Sequence, residues 1–153
     1  MGERWPCKPE VRVRFPSSPL SKGEQMKLLI AGSRSITDYE KVKDTIENFV
    51  DIEEFLSRSG RKIDKVITGG AIGVDQLGAR WAREKGIPVL ICKPNWKRDG
   101  KRAGFIRNSL MIAMLDKKEG DMLLAIWDGK SRGTNDTIEK AKKEGVGISI
   151  TKI

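Results

Sequence analysis

The strongest constraint in this sequence is an alternation, from Met26 onward, of short unbroken apolar runs with longer segments of helical period. The apolar runs are Lys27-Leu28-Leu29-Ile30-Ala31, Asp64-Lys65-Val66-Ile67, Pro88-Val89-Leu90-Ile91-Cys92, Asp121 to Trp127, and Gly147 to Thr151. Between the first two, Thr37 predicts a helix start, and Glu40 three positions on completes a capping box. Val42, Ile46, Phe49, Val50 and Phe55 then share roughly one face of a helix running to about Ser57. Further helices are predicted from Gln76 to Lys85, from Ala103 to about Leu115, and from Gly133 to about Glu144. Strands that are apolar throughout bury both faces, which requires a parallel sheet covered by helices on either side. Right-handed crossovers then predict an α/β fold, a doubly wound, mainly parallel sheet of about five strands with helices on both faces.

In such a fold ligands bind outside the carboxyl ends of the strands, so the turns at those ends are the places to search. They are Gly32-Ser33-Arg34, Thr68 to Asp75, Lys93 to Arg102, and Asp128 to Thr134, all rich in glycine, hydroxyl, arginine or amide groups. The second, Thr68-Gly69-Gly70-Ala71-Ile72-Gly73-Val74-Asp75, carries three glycines at a strand-to-helix junction. Glycines let the backbone turn sharply and leave no side chains in the way of a guest. The amides of the following helix start suit a phosphate or another anion.

Composition narrows the chemistry. The chain has 153 residues, enough for one domain with a core, and a net charge of +9 with a pI near 9.7. That charge favours an anionic partner: a nucleotide, a nucleic acid or an acidic protein. There is no histidine, which excludes a Ser-His-Asp triad, a histidine-ligated zinc and a histidine general base. Any catalysis would rest on carboxylates, arginine, backbone amides or a bound metal. Cys7 and Cys92 make no metal-ligand pattern, and no disulfide is expected between them, in keeping with a cytoplasmic protein. No apolar run approaches the roughly 18 residues of a membrane span.

Residues 1–25 differ from the rest. They hold four of the six prolines and no sustained period; Val11-Arg12-Val13-Arg14-Phe15 alternates but is closed by Pro16. The expectation is a disordered or loosely docked extension ahead of a domain spanning 26–153. Lys22-Gly23-Glu24 reads like a translated purine-rich stretch, which suggests Met26 as the native start.

Five segments in order now carry a resemblance. They are Ala31-Gly32-Ser33-Arg34, Thr68-Gly69-Gly70-Ala71-x-Gly73-x-Asp75, Asn95-Trp96, Ala103-Gly104-x-x-Arg107-Asn108-x-x-Met111, and Trp127-Asp128-Gly129-x-Ser131-x-Gly133-Thr134. Together, over about Met26 to Ile153, they resemble the YspA/YpsA-related branch of the SLOG superfamily, the group that includes the DprA and LOG proteins. The resemblance implies a Rossmann-like domain binding a nucleotide or nucleotide-derived ligand, in several members as a sensor in mobile-element or phage-conflict systems. Carried over by position, it implies a nucleotide site at Gly32, Ser33, Arg34, Thr68, Gly69, Gly70, Gly73, Asp75, Arg107, Asn108, Ser131, Gly133 and Thr134. Arg107 matches the arginine of the LOG Arg-Lys-x-x-Met segment, with Asn108 where LOG has lysine. Gly133-Thr134 matches the end of the LOG Gly-Gly-x-Gly-Thr-x-x-Glu motif, but the catalytic glutamate's position holds Thr137.

Arg107, Asp75 and Asp136 are the candidate catalytic groups, although one or two positions on a helix rotate a side chain by about 100° to 200°, so Asp136 does not simply replace the missing glutamate. Asp75 reads equally as a ribose or metal ligand and as a carboxylate favoured by the helix dipole. Trp96 reads as a base-stacking residue or a packing lid, Trp81 as core or interface, and Trp127 as the edge of the site. Lys97, Arg98, Lys101 and Arg102 form either a polyphosphate-binding cluster or a solvated loop. Gly129-Lys130-Ser131 imitates the end of a P-loop, but the glycine required five positions earlier is Leu124. The leading expectation is a sensor or regulatory domain that binds a nucleotide-like small molecule, with Mg²⁺ an open companion. The alternatives are a LOG-like N-glycosidase and DprA-like single-stranded nucleic-acid binding. A homodimer is left open, and no membrane is expected as a partner.

Overall fold

The computed structural model describes residues 8–10, 25–56 and 62–153, apart from the side chains of residues 8–10, 55 and 56. The elements run β1 (Lys8–Glu10), β2 (Gln25–Gly32), α1 (Tyr39–Leu56), β3 (Lys62–Thr68), α2 (Val74–Glu84), β4 (Val89–Ile91) and the single turn α3 (Trp96–Asp99). They continue with α4 (Ala103–Ala113), β5 (Met122–Trp127), α5 (Arg132–Glu144) and β6 (Gly147–Lys152). The six strands among the described residues form one sheet in the order β1-β4-β3-β2-β5-β6. The pairs β4–β3, β3–β2, β2–β5 and β5–β6 are parallel, which is the five-stranded sheet the apolar runs predict.

The chain steps outward from β2 through β3 to β4, then crosses back over β2 to reach β5 and β6. Strand order therefore reverses between β2 and β5. Both faces are covered, as the unbroken apolar strands require. On one face Leu28 and Ile30 of β2 pack with Val42, Ile46 and Phe49 of α1 and with Ala79, Trp81 and Ala82 of α2. On the other, Leu29 and Ala31 pack with Met111 and Ile112 of α4 and Ile138 and Ala141 of α5. Leu28, Leu29, Ile30, Leu123 and Leu124 are fully buried, each contributing about 1.5–3 kcal/mol of apolar burial.

Several boundaries differ from the sequence expectation. Asp38, not Thr37, caps α1: its carboxylate accepts the Lys41 N–H at 3.3 Å. α2 begins at Val74, two residues before the expected Gln76, because the chain turns into the helix directly at Gly73. The stretch after β4, expected as a polar loop, contains α3 and a 3-10 turn at Gly100–Arg102. Asn95 starts α3 by accepting the Arg98 N–H at 3.0 Å.

Within the extension expected to be loosely docked, Lys8–Glu10 pairs antiparallel with β4 as an edge strand. The register sets Lys8 opposite Ile91, beside the end of β4. The expectation of unpaired cysteines is corrected as well: Cys92 is disulfide-bonded. Cys7 lies outside the described residues, as do Val11 to Phe15, the Lys22-Gly23-Glu24 stretch and the Phe55 side chain. Among the described residues no helix is long and apolar enough to cross a membrane.

Candidate functional site

The glycine-rich turn is shaped by two close approaches. Gly73 holds φ at +91°, and a Cβ there would lie 2.5 Å from the Ser33 carbonyl oxygen. Only glycine meets both conditions without strain. At Gly69 a Cβ would lie 2.4 Å from Arg107 Nη1 and 2.7 Å from Asp75 Oδ2. The missing side chain is what lets the Arg107 guanidinium lie against the turn.

Arg107 reaches the turn from α4. Its Nη1 donates to the Gly69 carbonyl at 2.6 Å and the Cys92 carbonyl at 3.2 Å, and its Nε donates to Asn108 Oδ1 at 3.0 Å. These acceptors are neutral, so they fix the guanidinium without cancelling its charge. Burial lowers the Arg107 pKa, the Asp75 charge opposes that, and the Arg34 charge adds to it.

Asp75 lies beneath the turn, 5 % exposed. Its carboxylate accepts the Ala71 N–H at 3.3 Å and also bonds the backbone amides of Gly32 and Gly69. Burial pushes its pKa up to about 6, against the opposing pull of Arg107 and these amides. The structure therefore changes the expectation for the helix start. Part of the amide capacity is already taken by an internal carboxylate, and the Val74 N–H donates to the Ser33 carbonyl at 3.3 Å.

Above this floor is a cleft of about 380 Å³ lined by Arg34, Gly69, Gly70, Ala71, Ile72, Gln76, Lys93, Pro94, Trp96 and Arg107. Arg34 and Lys93 are exposed, as are Ile72 (65 %) and Trp96 (55 %). Three cations and two large apolar side chains thus share one wall system with the glycine turn. Lys93, Ala71, Ile72, Gln76 and Pro94 were not singled out from the sequence. Their signal was position alone: Lys93-Pro94 directly follows β4, and Ala71, Ile72 and Gln76 flank the glycines.

The remaining predicted residues fall into two structural groups. Ser33 is fully buried: its Oγ accepts the Asp128 N–H at 2.9 Å, tying the turn after β2 to the turn after β5. Thr68 is also fully buried, and its hydroxyl has no hydrogen-bond partner among the described residues. Behind Arg107, Asn108 (4 % exposed) donates from Nδ2 to the Gly133 carbonyl at 3.3 Å and to Asp136 Oδ2 at 3.1 Å. Ser131 caps α5, its Oγ accepting from the Thr134 N–H and hydroxyl at 3.4 and 3.2 Å.

Gly133, Thr134 and Ser131 are therefore joined to the cleft through Asn108 and do not line it. Asp136 is tied to Lys140 Nζ at 2.7 Å as well as to Asn108. Thr137, where LOG proteins have their glutamate, is 2 % exposed and donates to the Gly133 carbonyl at 3.1 Å.

Asp128 organises the turn that imitates a P-loop, accepting the Lys130 and Ser131 N–H groups, each at 2.8 Å. Those amide bonds hold its carboxyl well below the usual carboxylate range. Trp127 is a structural residue there, its Nε1 donating to the Ser131 carbonyl at 3.0 Å. Among the described residues no group of three or more His, Cys, Asp or Glu could hold a metal. A larger groove of about 760 Å³ runs between the C-terminal halves of α4 and α5, away from the glycine turn.

The sheet order and the cation-lined cleft past the ends of β3 and β4 define the class: a Rossmann-like α/β domain. The chain belongs to the YspA, cpYpsA-related SLOG family, whose model matches residues 26–98. It is similar to the Gene 61 protein of Mycobacterium phage D29, with 32 % identity over 127 residues, covering 80 % of this chain and 93 % of that protein. No solved structure matches it significantly.

Proposed function

We propose that the cleft binds a nucleotide or nucleotide-derived ligand and that the domain works as a sensor rather than a catalyst. The observation that carries this reading is the convergence of Arg34, Lys93 and Arg107 with Trp96 and Ile72 around a side-chain-free turn. The cations would take the phosphate groups and Trp96 would stack on the base. Gln76 is placed to offer an amide to the base edge or the ribose. Family membership supports a nucleotide-related ligand, and the phage relative fits a mobile-element setting.

Binding is favoured over N-glycosidic cleavage by Thr137, which is buried and bonded within its own helix. Asp136 is held by Lys140 and Asn108, and Asp75 sits under the cleft with its carboxylate on backbone amides. Mg²⁺ is not required by this reading, because the three cations can meet the phosphate charge.

The test is a thermal-shift and calorimetry screen of mono- and diphosphates of the four ribonucleosides, repeated with Arg34→Ala. The expected result is stabilisation by a subset of these nucleotides, weakened in the variant. No stabilisation by any nucleotide, with steeply salt-dependent binding of single-stranded DNA instead, would favour the nucleic-acid alternative.

A further inference from the structure

The positive charge of this chain is unevenly spread. From Asp44 to Leu56, α1 carries five acidic residues and no lysine or arginine, although the whole chain has a net charge of +9. A helix dipole favours basic side chains in the last turn, and α1 has none there. Asp44, Asn48, Asp51 and Ile52 form one exposed stripe, on the side of the helix opposite the core-facing Val42, Ile46 and Phe49. Ile52 is 49 % exposed, a large apolar side chain standing among acids. Glu47 is paired with Lys85 at 3.2 Å, whereas Asp44 and Asp51 have no ion pair among the described residues.

The 760 Å³ groove between α4 and α5 has the complementary make-up. Its floor includes Ile112 and Val146, and four lysines, Lys117, Lys118, Lys140 and Lys143, line it against two carboxylates. Lys140 Nζ is held by Asp136 and by the Phe105 carbonyl, each at 2.7 Å, and Lys117 Nζ donates to the Glu144 carbonyl at 3.4 Å. Lys118 and Lys143 are exposed and have no ion pair among the described residues. None of the described lining residues is aromatic, so the groove gives a nucleobase nothing to stack on.

We propose that the α4–α5 groove docks the acidic stripe of α1 from a second copy of this chain, Ile52 against the apolar floor and Asp44 and Asp51 against Lys118 and Lys143. The occupant is argued from complementarity in both charge and polarity: an apolar side chain flanked by acids meets an apolar floor flanked by lysines. The two surfaces lie on opposite faces of the sheet, α1 packing over Leu28 and Ile30, α4 and α5 over Leu29 and Ala31. A copy therefore cannot satisfy its own groove, and two copies cannot exchange both contacts at once. The contact is heterologous, head to tail, and it extends into a ring or a chain of subunits. It involves no residue of the nucleotide cleft and stands independently of that reading.

The test is sedimentation of the full chain over a range of concentrations, in low and in high salt. The expected result is a mass above the monomer that rises with concentration at about 50 mM salt and falls to the monomer at about 500 mM, as screening of the charge pairs requires. Two double variants at exposed positions separate the surfaces: Asp51→Asn with Ile52→Ser, and Lys118→Gln with Lys143→Gln. Each alone should associate at least ~tenfold more weakly than wild type. Mixed in equal amounts they should form a dimer and nothing larger, because each supplies the surface the other lacks. Wild type that stays monomeric in low salt would overturn the proposal. So would association that survives in either variant, or variants that stay monomeric when mixed. Binding of an oligothymidylate that is lost in the lysine variant, with no self-association of wild type, would overturn it in favour of a nucleic-acid surface.

Discussion

Asn108 holds Arg107 in place from behind: its Oδ1 accepts the Arg107 Nε–H at 3.0 Å while its Nδ2 donates to Gly133 and Asp136 across the start of α5. One buried amide thereby joins the guanidinium at the cleft to the first turn of the last helix. The lysine found at this position in LOG proteins could not do this, because an ammonium has donors only.

Asn108→Ala would leave Arg107 Nε and the Gly133 carbonyl without this partner in a buried setting. The expected loss is about 1–3 kcal/mol of stability, measured as a lower urea midpoint with unchanged slope. Asn108→Leu should cost a similar amount despite filling the space, since it restores no hydrogen bond.

Gly69→Ala would drive a methyl group into Arg107 Nη1 and Asp75 Oδ2. Arg107 has to leave its seat, so nucleotide binding in the cleft should fall at least ~tenfold. Gly73→Ala adds backbone strain at φ +91° to a clash with the Ser33 carbonyl. It should cost about 1–3 kcal/mol in stability by denaturant unfolding.

Asp75 gives the protein an unusual pH signature. Its folded pKa is raised to about 6, whereas an unfolded aspartate titrates near ~3.9. Between those values the native state binds more protons than the unfolded chain, so this group's contribution to stability falls as pH rises. The contribution is fully present below about pH 4 and lost by just above pH 6, with a size on the order of 1–3 kcal/mol. Glu47, Glu84 and Asp128 have lowered pKa values and work in the opposite sense. The measurement is therefore a difference: wild type minus Asp75→Asn, by urea unfolding from pH 4 to 8. A flat difference curve would contradict the assignment.

Arg34 and Lys93 are exposed at the rim, so replacing either with alanine should change stability by less than about 0.5 kcal/mol. Each should weaken nucleotide binding roughly tenfold and reduce its salt dependence. Trp96→Phe should retain most of the affinity and diminish any ligand-induced quenching of tryptophan emission.

Thr68→Val removes a buried hydroxyl that has no partner among the described residues. With near-identical shape, it should leave the protein as stable as before or more stable by about 1 kcal/mol, read as a shift in the urea midpoint. A loss of stability would mean that the hydroxyl is bonded in solution.

The sheet and its helices were legible because Leu28 to Ala31 and Leu123 to Ile126 are apolar on every residue, a pattern that only a strand covered on both faces satisfies. The glycine turn was legible for a similar reason, since Gly69, Gly70 and Gly73 leave little alternative to a sharp junction. The roles of the polar residues were harder to read. Ser33 and Asn108 look like ligand contacts in a motif, yet both point inward, and residue type does not encode which way a hydroxyl or amide faces. The cap of α1 moved from Thr37 to Asp38 because either residue can serve and packing decides the register. The edge strand at Lys8–Glu10 depends on pairing with residues some eighty positions away, which no local period records.

The Ser33 carbonyl is met by the Val74 amide and pressed by Gly73, so the turns after β2 and β3 are locked together. A guest entering the cleft meets a stiff bed that has no freedom to fold around it. Accommodation falls to a soft collar of exposed side chains, Arg34, Ile72, Gln76, Lys93 and Trp96. Preference for one guest over another can accordingly be retuned by exchanging collar residues, while the bed and the fold beneath it stay as they are.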